Sequence, residues 1–212
     1  MKNIIFIAAP ASGKGSISKL LEENNGYVHL ATGDILRERV EAGDKFIKDL
    51  IDNGKFVSDE IITSIIKEKI NTLKDTPFIL DGVPRTLIQT KMLDKIFQEE
   101  NINNVVVIKL NITLEVSKER ISGRYICKCG RSYNLNTENL KPKVEGICDK
   151  CGSKLLQRND DTEEKIEKRF NDYVNNLEPI VEFYKKQNML YEIDGRDDIN
   201  KIYELIKEII ND

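Results

Sequence analysis

The chain has 212 residues, 40% of them hydrophobic and 33% charged, which excludes global disorder and leaves room for one domain of ordinary size with an inserted lobe. Lys plus Arg number 33 against 36 Asp plus Glu, a net charge of −3, so there is no general drive toward nucleic acid or an acidic membrane, and any anionic ligand must be met by a local cluster. No apolar run approaches the roughly eighteen residues that cross a bilayer, and the stretch from Ile4 to Ala9 is too short for a secretory signal before Pro10; a cytoplasmic chain is expected.

In chain order, Asn3 to Ala8 is a short apolar run rich in β-branched residues, the pattern of a strand buried on both faces. Ala8-Ala9-Pro10-Ala11-Ser12-Gly13-Lys14-Gly15-Ser16 follows, and then an apolar-periodic stretch from Ile17 to Leu21. A second strand is predicted at Tyr27 to Leu30, with the only histidine, His29, inside it as a structural rather than catalytic residue. Thr32-Gly33-Asp34 comes next, with Arg37 one helical turn beyond Gly33. From Asp34 to Lys74 the pattern is helix after helix, broken at Gly43 and Gly54, as in a small lobe packed on a sheet edge. Phe78 to Leu80 predicts a third strand, followed by Asp81-Gly82-Val83-Pro84-Arg85 and Gln89; Val105 to Leu110 predicts a fourth, and Leu190 to Ile193 a fifth. Arg120 and Arg124 are four apart, the spacing of one helix face. Tyr125 to Gln157 is a polar insertion holding all four cysteines, and Arg158, Asp160, Asp161 and Arg169 follow it. Short buried strands alternating with helices imply a doubly wound parallel α/β sheet whose ligands bind beyond the strands' C-terminal ends.

The chemistry gathers at those ends. A strand, a small-residue loop with Gly13-Lys14-Gly15-Ser16 and a helix start direct backbone N–H groups and the helix's positive end at phosphates. The lysine reaches the terminal phosphates and the hydroxyl is placed for magnesium. Ala8 stands where this pattern usually has its first glycine, and a left-handed backbone at Ala8 or Ala11 would cost roughly 1 to 2 kcal/mol. Six arginines, Arg37, Arg85, Arg120, Arg124, Arg158 and Arg169, are expected to converge on the loop. Phosphoryl transfer needs that inventory, because it consists of aligning two anions and neutralising charge on the migrating group.

On Gly13-Lys14-Gly15-Ser16, Thr32-Gly33-Asp34-Ile35-Leu36-Arg37, Asp81-Gly82-Val83-Pro84-Arg85, Gly123-Arg124, the paired cysteines and Gln157-Arg158-Asn159-Asp160-Asp161, the chain resembles the adenylate kinase family over nearly its whole length, in the long form whose lid carries a cysteine zinc site. The resemblance implies a P-loop kinase fold with a five-stranded parallel sheet flanked by helices, a helical monophosphate-binding lobe at 32–61, a lid at 124–161, and a core from 1–31, 62–123 and 162–212. It implies a cytoplasmic monomer that converts ATP and AMP to ADP with Mg2+, without nucleic acid or membrane. Carried over, Ala11, Ser12, Gly13, Lys14, Gly15 and Ser16 hold ATP phosphates, Arg120, Ser132 and Tyr133 flank adenosine, Arg124 meets the phosphates, and backbone near Asp197 covers the base. Thr32, Arg37, Lys55, Phe56, Val57, Gly82, Val83, Pro84, Arg85 and Gln89 hold AMP, with Gln89 reading adenine and Arg158 and Arg169 helping. Lys14, Arg85, Arg124, Arg158 and Arg169, with Asp160 and Asp161 at the lid hinge, carry catalysis, and Asp81 with Ser16 organises magnesium through water. The departures are Ala8 and Ala11 for glycines, Ser16 for threonine and Val83 for phenylalanine.

Four cysteines within a window of 25 residues of a cytosolic-type chain favour structural zinc through Cys127, Cys129, Cys148 and Cys151, with free thiols and a disulfide as alternatives. Cys148 and Cys151 have two residues between them; Cys127 and Cys129 have one, which is a residue short for such a half-site. Two other readings stand beside the main one. One is a kinase for another monophosphate or another donor; the other is a nucleotide-responsive regulatory or nucleic-acid-binding protein with a zinc ribbon, against which the insertion lacks a basic stripe with interleaved aromatics.

Overall fold

A computed structural model of the chain describes residues 1–52, 57–157 and 161–211. Five strands, β1 (Asn3–Ala8), β2 (Val28–Ala31), β3 (Phe78–Asp81), β4 (Val105–Asn111) and, last in the chain, β7 (Leu190–Asp194), form one sheet in the order β2-β3-β1-β4-β7, with every neighbouring pair parallel. All five lie where the apolar runs predicted them, with edges within a residue or so. Register is set across the centre by Ile5 opposite Leu80 on one side and Val107 on the other. The chain fills the β2–β3 side first and then crosses β1 to the β4–β7 side. A crevice therefore opens at the C-terminal end of β1, between β3 and β4.

Helices α1 (Lys14–Asn25) and α8 (Ile199–Asn211) cover one face; α4 (Asp59–Thr72), α5 (Leu87–Glu99) and α7 (Glu163–Lys186) cover the other. Alternation along β1 divides the core accordingly. Ile4 and Phe6 pack with Ile17, Leu21, Ile202 and Ile206, whereas Ile5 and Ile7 pack with Ile66, Leu93 and Ile180. Truncating any of the fully buried isoleucines to alanine would cost about 2 to 5 kcal/mol. Between β2 and α4 run α2 (Thr32–Glu41) and α3 (Lys45–Asp52), the predicted helical stretch, with Gly43 at a left-handed φ of 96° where the chain breaks between them. No described helix is long and apolar enough to cross a membrane.

The insertion holds a two-stranded antiparallel ribbon, β5 (Arg124–Ile126) with β6 (Ser132–Asn134). Its buried cluster is only Cys127, Tyr133, Cys148 and Leu155. Here one expectation is corrected: α6 (Leu114–Ser122) ends before Arg124, so Arg120 and Arg124 do not share a helix face. The cause is Gly123. A Cβ there would lie 2.6 Å from Asn134 Oδ1 and 2.7 Å from Asn136 Cγ, so the ribbon folds back against the chain at the one residue that lets it approach. Ion pairs and hydrogen bonds tie the insertion to the core: Lys150 to Glu23 at 3.0 Å, Arg131 to Glu23 at 4.0 Å, and Asn139 to Asp198 at 3.0 Å.

Candidate active site and cysteine cluster

Helix N-termini carry unpaired N–H groups that something must satisfy. Hydroxyls do so for α4, α5, α6 and α7, where Ser58, Thr86, Thr113 and Thr162 each accept from an amide in the first turn. The starts of α1 and α2, both at the C-terminal rim of the sheet, have no side-chain cap. At α1 the preceding loop is held from behind: Ser117 Oγ donates to Pro10 O at 2.7 Å, and Arg120 Nη1 donates to Ser12 O at 3.2 Å. With these carbonyls fixed by α6, the uncapped start of α1 after Gly13 is presented as phosphate loops present it to an anion. Gly13 has φ 97° and Ala11 φ 58°, so Ala11 does take the left-handed backbone, while Ala8 lies in β1 paired with Leu110. Of the two missing glycines, only one leaves strain.

Lys14 opens α1 with its Nζ 3.7 Å from Asp81, which ends β3. Burial, reinforced by the positive charges of Arg85, Arg169 and Arg124, pulls the Lys14 ammonium below its usual range against the opposing pull of Asp81. Burial pushes the Asp81 carboxyl up, but Lys14 and then His29 outweigh it and hold Asp81 down at about 2. His29 Nε2 lies 3.2 Å from Asp81 Oδ2. The histidine expected to be purely structural thus touches the site, through strand pairing that sets Ala31 beside Asp81 and leaves His29 two residues back on the same face.

Thr32 Oγ1 donates to Asp81 O at 3.1 Å, and Arg85 Nε donates to Gly82 O at 2.8 Å. Gly82 has φ 86°, and a Cβ on it would lie 3.1 Å from Arg85 Nη2. The peptide bond between buried Val83 and Pro84 is cis. Arg124 makes a two-pronged pair with Asp161, with Nε at 2.8 Å from Oδ2, so these expected partners do meet. Arg37 stands on α2, exposed and paired with Asp34. Ser16 lies in the first turn of α1, its N–H on Gly13 O at 3.0 Å. Asp197 lies in the turn after β7. Val57 packs against the larger core cluster. Lys55, Phe56, Arg158 and Asp160 lie outside the described residues.

Two residues differ from expectation in how they are engaged. Gln89 is only 3% exposed: its Nε2 donates to Asp59 Oδ1 at 2.7 Å, and its Oε1 accepts from Arg85 N at 2.6 Å. Tyr133 is buried in the insertion, where its hydroxyl donates to Cys148 Sγ at 3.4 Å and accepts from Asp149 N at 2.8 Å, so the ring faces the sulfurs. Asp59 was not singled out from the sequence; the available signal was Ser58-Asp59-Glu60 at a helix start, which reads as ordinary capping.

The four cysteines come together despite the short first half-site. Cys127 Sγ is 3.3 Å from Cys151 Sγ, Cys129 Sγ is 3.7 Å from Cys148 Sγ, and all four sulfurs lie within 4.8 Å of one another. Zn–S bonds of about 2.3 Å in a tetrahedron put sulfurs about 3.8 Å apart, a value that the separations here bracket. Gly130 and Gly152, with φ 83° and 69°, close a tight turn after each pair, and Gly130 N donates to Cys127 O at 2.9 Å, as Gly152 N does to Cys148 O. The Tyr133 hydroxyl, followed by backbone N–H groups, holds the Cys148 thiol below its ordinary range, whereas at Cys127 the pull of the Cys129 N–H is outweighed by burial and the neighbouring sulfurs, which push that thiol up, so it is the spacing of the four sulfurs that makes the case for a metal.

Comparisons with known proteins converge on one family. A family model described as adenylate kinase matches residues 6–189. The chain is similar to the adenylate kinase of Thermosipho melanesiensis, 39% identical over 99% of this chain and 98% of the relative. It is also similar to that of Methanosarcina barkeri, 41% identical over 98% of each, and to that of Clostridium tetani, 35% identical over 98% of each.

Proposed function

Because this chain belongs to the adenylate kinase family of phosphotransferases, we propose that it catalyses reversible phosphoryl transfer, ATP + AMP = 2 ADP, in the crevice beyond β1. The observation that carries this reading is the uncapped start of α1, where Lys14 stands 3.7 Å from Asp81 at the end of β3. Loop amides and Lys14 bind the donor's phosphates. Thr32, Gly82 and Arg85, on the neighbouring β2 and β3 rims, face the acceptor. The arginines meet charge that develops on the migrating group, and stabilisation of this kind is commonly worth 10²- to 10³-fold in rate per donor. The family reading disfavours the nucleic-acid alternative.

Magnesium, bound with ATP, supplies charge neutralisation between the phosphates. Asp81, kept ionised, and the Ser16 hydroxyl fit its water shell. Zinc is assigned to Cys127, Cys129, Cys148 and Cys151, where four thiolates leave no open position, so its contribution is to folding. We assign residues 32–61 to a monophosphate lobe and 124–161 to a lid whose closure keeps water from the phosphoryl group. A coupled assay of ADP formation from ATP and AMP tests the reading; no turnover with adenine nucleotides, together with turnover of another monophosphate, overturns it.

A further inference from the structure

We propose that Asp59 is a positioning residue that sets the base preference of the acceptor site by locking the orientation of the Gln89 side-chain amide. The inference rests on the assignment of Gln89 to the acceptor base. A glutamine amide turned by 180° exchanges its carbonyl and its NH2 without changing shape, and its partners decide which way it points. Both partners of Gln89 are unambiguous. The Asp59 carboxylate accepts on both oxygens, so it demands Nε2 at 2.7 Å, and the Arg85 backbone N–H only donates, so it demands Oε1 at 2.6 Å. A turned amide would put donor against donor and acceptor against acceptor. Asp59 is itself fixed: Thr86 Oγ1 donates to its other oxygen at 2.9 Å, and Thr63 Oγ1 donates to its main-chain carbonyl at 2.7 Å. The start of α4 and the start of α5 are thereby joined through this one carboxylate.

Locked in this way, Gln89 keeps one N–H and one lone pair unused. Adenine presents an acceptor at N1 and a donor at its 6-amino group, which is the complement of that pair. Hypoxanthine presents a donor at N1–H and an acceptor at O6, so it needs the turned amide. A base that reaches the two remaining valences displaces what covers Gln89 while both existing bonds persist. The acceptor pocket thus distinguishes 6-amino from 6-oxo purines through a residue that never touches the base.

The test compares AMP and IMP as acceptors, by kcat/KM, in wild type, Asp59→Asn, Asp59→Ala and Gln89→Ala, with KM for ATP and thermal melts alongside. Asp59→Asn keeps the shape but lifts one of the two demands: its NH2 can face a turned Gln89 while its oxygen satisfies Thr86, leaving the Arg85 N–H alone to oppose the turn. The AMP-over-IMP ratio is expected to fall about tenfold in Asp59→Asn and in Asp59→Ala, chiefly through the acceptor's KM, with KM for ATP unmoved. A wild type that prefers AMP, with the ratio unchanged in both Asp59 variants, overturns the proposal and leaves the kinase reading standing. An unchanged ratio in Gln89→Ala removes the premise that Gln89 reads the base and overturns the proposal also. Absence of ADP formation by the wild type refutes the function itself.

Discussion

The two alanines that replace glycines around the phosphate loop should respond in opposite directions when glycine is restored. Ala11 has φ 58°, a left-handed backbone that strains an L-residue by about 1 to 2 kcal/mol. Ala11→Gly removes that strain and gives back about 0.4 to 1 kcal/mol through the freer unfolded chain, for a net gain of about 0.5 to 1 kcal/mol. Ala8 is an ordinary strand residue in register with Leu110, packed beside the Ile4 and Phe6 face. Ala8→Gly therefore loses about 0.5 to 1 kcal/mol of backbone preference and a partly buried methyl besides, about 1 to 2 kcal/mol in all. For a chain of this length a kcal/mol moves Tm by about 2 to 4 °C. Thermal melts of the ligand-free protein followed by far-UV circular dichroism should place Ala11→Gly about 1 to 4 °C above wild type and Ala8→Gly about 2 to 8 °C below it. Loss of stability in Ala11→Gly would refute the left-handed assignment, and shifts of equal sign would show that position in the loop does not decide the effect.

Arg85→Ala and Arg124→Ala should each lower kcat by about 10² to 10³, Arg85→Ala with the melt nearly unchanged and Arg124→Ala with a lowered Tm, because it leaves the buried Asp161 side chain without its partner; near-normal turnover in both would remove the arginine clamp. Purified protein should hold about one zinc per chain by metal analysis, and a chelator should lower its Tm; metal-free protein with a melt indifferent to chelation would refute the site. Asp81 titrates at about 2 in the fold, below its ordinary value of 3.8, so the stability it contributes is complete above roughly pH 5 and is lost as pH falls through 4 toward 2. Asp81→Asn should flatten that acid limb of a stability–pH curve, and an unaltered slope would contradict the Lys14 and His29 pairing.

What could be read from the sequence was what local pattern encodes. A continuous β-branched run such as Asn3–Ala8 has few alternatives to a buried strand, and Gly13-Lys14-Gly15-Ser16 after it has one common use. The unread features depend on pairs distant in sequence. Arg124 has helical spacing from Arg120, yet Asn134 and Asn136, folding back onto Gly123, end the helix first. Gln89 carries its polar groups in plain view, but that Asp59 and Arg85 engage them follows only from how α4 meets α5. His29 looks like core until parallel pairing sets it against Asp81. The gap of one residue between Cys127 and Cys129 was undecidable from spacing, because left-handed turns at Gly130 and Gly152 determine where the sulfurs end up.

The clasp between Arg124 and Asp161 has a consequence for how this fold tolerates change. The insertion leaves the core and returns to it at one point, as a handle whose feet share one plate, its far side also touching the core surface through Lys150, Arg131 and Asn139. Its contour can therefore lengthen or shorten while the span across its feet stays constant, and the closure cost varies only with the logarithm of its length. A residue lost between Cys127 and Cys129 alters the handle and never reaches the plate. By the same logic, a foreign lid of different length, with or without cysteines, could be grafted between residues 124 and 161 and inherit the sheet, the phosphate loop and their stability intact.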